Sequence, residues 1–279
     1  MCAACFGCSS ADGPVVVDGA DDAAAEVETG DADGGRGGMA SSFSDCEPWA
    51  RPGPSAGATD QTTAGGIRYN VRTPSDYDPQ RAHPLLVVYS PRVTNPTAEA
   101  LEAFTGLGVD APARGYVVAF VEWFDPVPLA NRVDGATVRD DIAAGWCIDP
   151  DAIFLSGHSD GGSMTTLYAL GGEGVRAVAP SAGGIDADDG PSVGCNGAMP
   201  AMVIHSRDDQ VFPVPDFGLG AAEFWAACSG CGDLGPPDAN GCATYVDCTS
   251  EVQYCEVTGD HYRWYGLNQS MLDFFDRHR

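Results

Sequence analysis

Asp151-Ala152-Ile153-Phe154-Leu155-Ser156-Gly157-His158-Ser159-Asp160-Gly161-Gly162 is the stretch on which the fold turns. Asp151 to Ser156 is short, largely apolar and preceded by Asp149-Pro150, the pattern of a buried strand. Gly162-Ser163-Met164-Thr165-Thr166-Leu167-Tyr168-Ala169-Leu170 then runs without a breaker to Gly171-Gly172, which predicts a helix with a glycine stop. Between them lies a G-x-S-x-G, in which the serine sits on a sharp strand-to-helix turn and the glycines leave room for neighbouring backbone. In so Gly-rich a chain this five-residue pattern arises from composition alone on the order of 0.3 times. The strand before it and the helix after it give it weight.

Working outward, Ile67 to Arg72 alternates apolar and polar, as an edge strand with one buried face does. Pro84 to Tyr89 and Tyr116 to Val121 are continuous apolar runs, the pattern of strands covered on both faces of a parallel sheet. Thr97 to Phe104 between them reads as a helix with Thr97 or Asn95 near its cap, and Asp134 to Trp146 as a second helix. Val175 to Ala179, Ala201 to His205 and Glu251 to Val257 are further strands, with helices over Phe217 to Ala227 and Gln269 to Arg277. Strands alternating with helices predict an α/β fold: a mainly parallel sheet with helices on both faces.

The charge narrows the partners. Forty acidic residues stand against fourteen basic ones, all Arg, for a net charge of −26. Such a surface repels nucleic acid and anionic membranes, and the absence of Lys removes Schiff-base chemistry and the P-loop motif. No apolar stretch reaches the length of a membrane span. Residues 1–65 read as an acidic, low-complexity leader or linker, too poor in large apolar residues to offset its ordering entropy, ahead of a catalytic domain over 66–279. Cys2, Cys5 and Cys8 among small residues resemble the tail of a bacterial secretion signal. On that reading the true start lies upstream and Cys5 or Cys8 is a candidate lipid-anchored cysteine, placing the protein outside the cell or in the envelope.

Cys46, Cys147, Cys195, Cys228, Cys231, Cys242, Cys248 and Cys255 are an even set, five of them between 228 and 255, and predict disulfides made in an oxidising compartment. A zinc site on Cys228, Cys231, Cys242 and Cys248 is the rival, disfavoured because the later pair lacks C-x2-C spacing.

A serine nucleophile needs a base and an orienting acid, which in this strand-turn-helix setting follow it in the order acid, then His. Downstream of Ser159 stand His205, His261 and His278. His278 is penultimate, and His205 ends a strand where the acid belongs, so His261, after Thr258-Gly259-Asp260, is the expected base. Asp208 and Asp209 follow the strand ending at His205, and spacing alone leaves the choice between them open. Asp186, Asp188 and Asp189 are weaker competitors in a Gly-rich acidic loop.

Three blocks carry a family resemblance: Gly157 to Gly162, His205-Ser206-Arg207-Asp208-Asp209-Gln210-Val211-Phe212-Pro213, and Gly259-Asp260-His261-Tyr262-Arg263-Trp264. Together they resemble secreted poly(3-hydroxybutyrate) depolymerases and the related feruloyl and acetylxylan esterases, which are α/β-hydrolases. The resemblance spans roughly Gly65 to Arg279. It implies Asp209 rather than Asp208 as the acid, a disulfide-rich C-terminal part, and acyl transfer on an ester or polyester substrate with no cofactor and no metal. Trp123, Phe124, Phe212 and Trp264 are candidates for lining the substrate cleft, with a place in the core as the alternative for each. One departure stands out. The family's first long strand ends in His-Gly, whose loop donates one oxyanion N–H, whereas here the residues are Tyr89-Ser90-Pro91-Arg92. Proline has no N–H, so the expected oxyanion donors are Asp160 and Arg92. Two other classes stay open: a polymer-binding protein with impaired catalysis, suggested by that loop, and a serine peptidase.

Overall fold

The computed structural model describes residues 57–124, 132–171, 174–185, 194–195 and 197–279. Residues 1–56, with Cys2, Cys5, Cys8 and Cys46, and the carboxylates Asp186, Asp188 and Asp189 lie outside the described residues.

A nine-stranded sheet runs in the order β1-β2-β4-β3-β5-β6-β7-β9-β8. Its central strands, β4 (Val117–Val121), β3 (His83–Tyr89), β5 (Ile148–His158), β6 (Ala177–Ser181), β7 (Ala201–Ser206) and β9 (Val252–Val257), are mutually parallel. β2 (Arg68–Arg72) pairs antiparallel with β4, β1 (Ala58–Thr62) antiparallel with β2, and β8 (Cys242–Thr244) antiparallel with β9. The helices are α1 (Ala98–Thr105), α2 (Leu107–Asp110), α3 (Arg132–Gly145), α4 (Asp160–Gly171), α5 (Gly220–Cys228) and α6 (Asn268–Asp276).

Each apolar run feeds two cores because successive side chains of a strand point to opposite faces. From β3, Leu85, Val87 and Tyr89 pack with Ile142 of α3, Tyr168 of α4 and Trp225 of α5. Leu86 and Val88 pack on the other face with Leu101 of α1, Leu107 of α2 and Phe274 and Phe275 of α6. This two-faced burial explains why these strands show no polar alternation in the sequence. The helix starting at 98 is capped by Thr97, whose side chain accepts from the Ala100 N–H, and ends at Gly106 with φ 68°.

Several elements differ from expectation. β1 falls inside the stretch that reads as linker, and β8 and α2 leave no signal in the sequence, because short, polar or Gly-flanked segments have too few residues to show a period. The helix expected from Phe217 begins at Gly220, after a wide π-type turn over Val214–Leu219. β5 extends outward through Gly157 and His158, so the strand runs up to the serine.

The cysteines pair as Cys195–Cys228, Cys231–Cys248 and Cys242–Cys255, and Cys147 is also disulfide-bonded. The zinc alternative is therefore overturned, since all four of its proposed ligands are in disulfides, and no group of His, Cys, Asp and Glu among the described residues is arranged to hold a metal. Among the same residues no helix is long and apolar enough to cross a membrane.

Cys242–Cys255 pins β8 to β9 across a separation of 13 residues. In the chain-entropy picture a cross-link of that span contributes about 3 kcal/mol. The double variant Cys242→Ala/Cys255→Ala is expected to lose stability by about that amount in urea unfolding, with the loss absent when both proteins are compared under reducing conditions.

Candidate active site

Ser159 has φ 57°, a left-handed backbone that a non-glycine residue adopts at a cost of about 1–3 kcal/mol. The chain accepts this because the turn between β5 and α4 is hemmed in by main chain. A Cβ on Gly161 would lie 2.1 Å from the Tyr89 carbonyl oxygen, and one on Gly157 would lie 2.4 Å from the carbonyl oxygen of Gly161. β3, β5 and the start of α4 thus approach more closely than any side chain permits. The turn is further tied by the Ser159 N–H, which donates to the Ser181 carbonyl at 3.0 Å.

Ser159 Oγ lies 2.8 Å from His261 Nε2, and His261 Nδ1 lies 2.7 Å from Asp209 Oδ2. These three residues come from the loops following β5, β9 and β7, at the carboxyl ends of parallel strands. All three are buried. The other oxygen of Asp209, Oδ1, accepts the backbone N–H groups of Val211 at 2.8 Å and Phe212 at 2.9 Å. Burial by itself pushes the Asp209 carboxyl up, but the His261 hydrogen bond and the two amides outweigh it and hold it below the usual carboxylate value. Asp209 is thereby kept ionised as the acceptor of the His261 Nδ1–H.

The neighbouring Asp208 has a different place. Its Oδ2 accepts the Gly259 N–H at 3.2 Å, and Ser206 Oγ donates to the Gly259 carbonyl at 2.5 Å. Together they fasten the loop that carries His261 to the end of β7.

His158 and His205 complete the surroundings, and neither was singled out as part of the site from sequence. His158 Nε2 donates to the His261 carbonyl at 2.6 Å, while Nδ1 faces Ser181 Oγ at 3.2 Å. Burial lowers its pKa to about 4, so it stays neutral and serves as a fixed donor to the main chain at His261. The apolar cage responsible includes Phe104, Trp264 and Tyr265, with ring centroids 5.4, 6.2 and 5.7 Å from that of His158. His205 is fully buried, donates Nε2–H to the Phe212 carbonyl at 2.8 Å and stands 3.5 Å from Asp209 Oδ2; burial depresses its pKa as well. The only sequence signal for either residue is a polar side chain inside an apolar strand end.

The four aromatic candidates separate. Phe212 lies with its ring centroid 5.2 Å from that of His261 and 5.0 Å from that of Phe217, beside Gly184. Trp264 is turned instead into the packing around Phe104 and His158, and its Nε1–H donates to Asn268 Oδ1 at 2.6 Å. Trp123 carries the Arg92 guanidinium over its ring at 5.4 Å, and Phe124 packs against the core. A cleft of about 380 Å³ lined by Asp60, Arg68, Arg72 and Glu122 opens at the antiparallel edge and shares no residue with Ser159, Asp209 or His261. On the 90–92 loop, the Ser90 N–H and Oγ–H both donate to the Val121 carbonyl, and the Arg92 N–H donates to Asp160 Oδ2 at 3.3 Å.

His158 also fixes a pH dependence of stability. The unfolded chain takes up a proton at His158 near pH 6.5 while the folded protein resists until about pH 4, so acidification across that window favours unfolding. Asp209, depressed in the folded state, acts in the same direction where it titrates. The melting temperature is expected to fall steadily from pH 6.5 to 4, the His158 part amounting to on the order of 3 kcal/mol. In His158→Gln the slope over that window should be shallower, whatever the absolute stability of the variant.

No protein-family model and no curated protein matches the sequence. Solved structures do match. An acetyl xylan esterase from Aspergillus awamori superposes with a TM-score of 0.62 at 15% identity over 79% of this chain and 98% of that one. A truncated form of a carbohydrate esterase from gut microbiota gives 0.55 at 15% identity over 82% and 99%. A thermostable esterase gives 0.58 at 18% identity over 76% of this chain, which spans 59% of that protein's length. At these identities the likeness concerns the fold, and the fold is that of the α/β-hydrolases.

Proposed function

We propose that the protein is a serine hydrolase that cleaves carboxylic esters through an acyl-enzyme. The observation that carries this reading is the hydrogen-bonded line from Ser159 Oγ to His261 Nε2 at 2.8 Å and from His261 Nδ1 to Asp209 Oδ2 at 2.7 Å, set on a strained turn. Ser159 attacks the ester carbonyl carbon while His261 Nε2 takes its proton. Asp209 holds the tautomer with hydrogen on Nδ1 and stabilises the imidazolium as it forms. The carbonyl oxygen, now an anion, is received by the Asp160 N–H at the start of α4, where backbone amides and the helix dipole favour negative charge. His261 then gives its proton to the departing alkoxide. Water, activated by the same base, releases the acid.

Within that class, a polyhydroxybutyrate-type polyester or its oligomers is the substrate implied by the three sequence blocks. The acetyl xylan esterase and carbohydrate esterase among the matching folds favour the second reading, an acyl ester of plant cell-wall polysaccharide. Hydrolysis of hydroxybutyrate oligomers compared with acetylated xylan and methyl ferulate separates the two. The disulfides support an oxidising location, outside the cell or in the envelope.

Ser159→Ala is expected to lower kcat/KM on p-nitrophenyl acetate by about 10⁴-fold or more without loss of folding, since it removes one oxygen from a small buried side chain. Asp209→Asn should cost about 10⁴-fold by stabilising the wrong tautomer of His261. Near-wild-type turnover in Ser159→Ala, measured against a scrupulously enzyme-free control, would end this proposal. Faster cleavage of the anilide than of the matched ester would instead move it to the peptidases.

A further inference from the structure

The 90–92 loop poses an accounting problem for the oxyanion. The backbone N–H of Ser90 is taken by the Val121 carbonyl, and so is the Ser90 hydroxyl. Pro91 has no N–H. The Arg92 N–H, the remaining donor of this loop, is held by the side chain of Asp160, the residue directly after the nucleophile. Asp160 therefore plays opposed parts. Its main chain offers a donor to the developing oxyanion, while its carboxylate occupies the Arg92 donor.

We infer that the Asp160 carboxylate is a specificity-determining group: it releases the Arg92 N–H to the oxyanion when the substrate supplies a hydroxyl, next to the ester, for the carboxylate to accept instead. This rests on the ester-hydrolase reading above and names the substrate feature that the site selects. An ionised carboxylate only accepts, and its single long bond to the Arg92 N–H, 3.3 Å, is broken when a substrate hydroxyl draws the carboxylate aside. Ester groups themselves have no donor, which means a plain ester leaves the latch closed. A substrate ammonium is disfavoured in that role because the Arg92 guanidinium, stacked on Trp123 and without a carboxylate partner among the described residues, already sets a positive charge on this loop. A neutral hydroxyl remains, borne on either the acyl or the alcohol side.

The test uses matched pairs that differ by one hydroxyl: p-nitrophenyl butyrate against p-nitrophenyl 3-hydroxybutyrate, and ethyl acetate against 2-hydroxyethyl acetate. Wild type should prefer the hydroxylated member in at least one pair. Asp160→Ala frees the Arg92 N–H permanently, so the plain ester should turn over faster while the hydroxylated one loses its anchor. The preference is expected to drop by about 10- to 100-fold, the worth of one hydrogen bond to a charged group. Asp160→Asn keeps an acceptor oxygen and should retain a preference in the wild-type direction. A structural role for Asp160 would move both members of a pair by the same factor; that outcome, or a wild type indifferent to the hydroxyl in both pairs, overturns the inference and leaves the ester-hydrolase reading standing. Absence of turnover on all four esters, together with no labelling of Ser159 by a fluorophosphonate, overturns both.

Discussion

Main chain pressed against main chain at the end of β5 is the constraint from which the site is built. Gly157 and Gly161 allow β3, β5 and α4 to meet at distances that leave no room for a Cβ. That contact drives the intervening residue into the left-handed region, where Ser159 sits at φ 57°. The strain is local and the stabilisation is spread over two apolar faces of a parallel sheet, so the sheet can hold a conformation that an isolated turn would abandon. A serine presented this way stands clear of its strand, and its amide and that of the following residue lie at the start of α4.

Around that turn the loops are fixed by polar groups from the ends of β5 and β7. His158, Ser206 and Asp208 all bond to the short segment 259–261, two of them to Gly259 and one to the His261 carbonyl. The His158 bond is buried, so losing it leaves a buried carbonyl unsatisfied, whereas the Asp208 bond lies at the exposed surface. Asp209 is over-determined in the same sense, accepting from two amides and from His261, with His205 at 3.5 Å. The site is thus pre-organised by its second layer, and the histidines of that layer stay neutral because their cage of aromatic rings and strand ends penalises charge.

The 90–92 side of the turn contrasts with this. Asp209 and His261 are held from several directions, whereas the Ser90-Pro91-Arg92 loop offers a donor that is already engaged by an exposed-side carboxylate. The triad side is thus held by several hydrogen bonds, and the Arg92 N–H by one to a carboxylate at the start of α4.

Much of the architecture is legible in the residues alone. Buried strands of a parallel sheet announce themselves as unbroken apolar runs, and the order Ser159, acid, His261 is the one expected once the strand-turn-helix setting is recognised. Composition also excludes Lys chemistry outright. What lay beyond the sequence depends on proximity between segments far apart in the chain. Spacing could not choose between Asp208 and Asp209, because adjacent side chains on a turn diverge and only the position of His261 Nδ1 and the Gly259 amide tells them apart. The pairing of the cysteines required the sheet edge that sets Cys242 opposite Cys255. Trp264, a cleft candidate by sequence, packs against Phe104 of α1 and His158, contacts that its own loop does not reveal. His158, hidden in a motif's variable position, and the grip of Asp160 on Arg92 emerge only when β3, β5 and β9 take their places in one sheet: a hydrogen bond across 68 or 103 residues leaves no periodic trace in the chain that makes it.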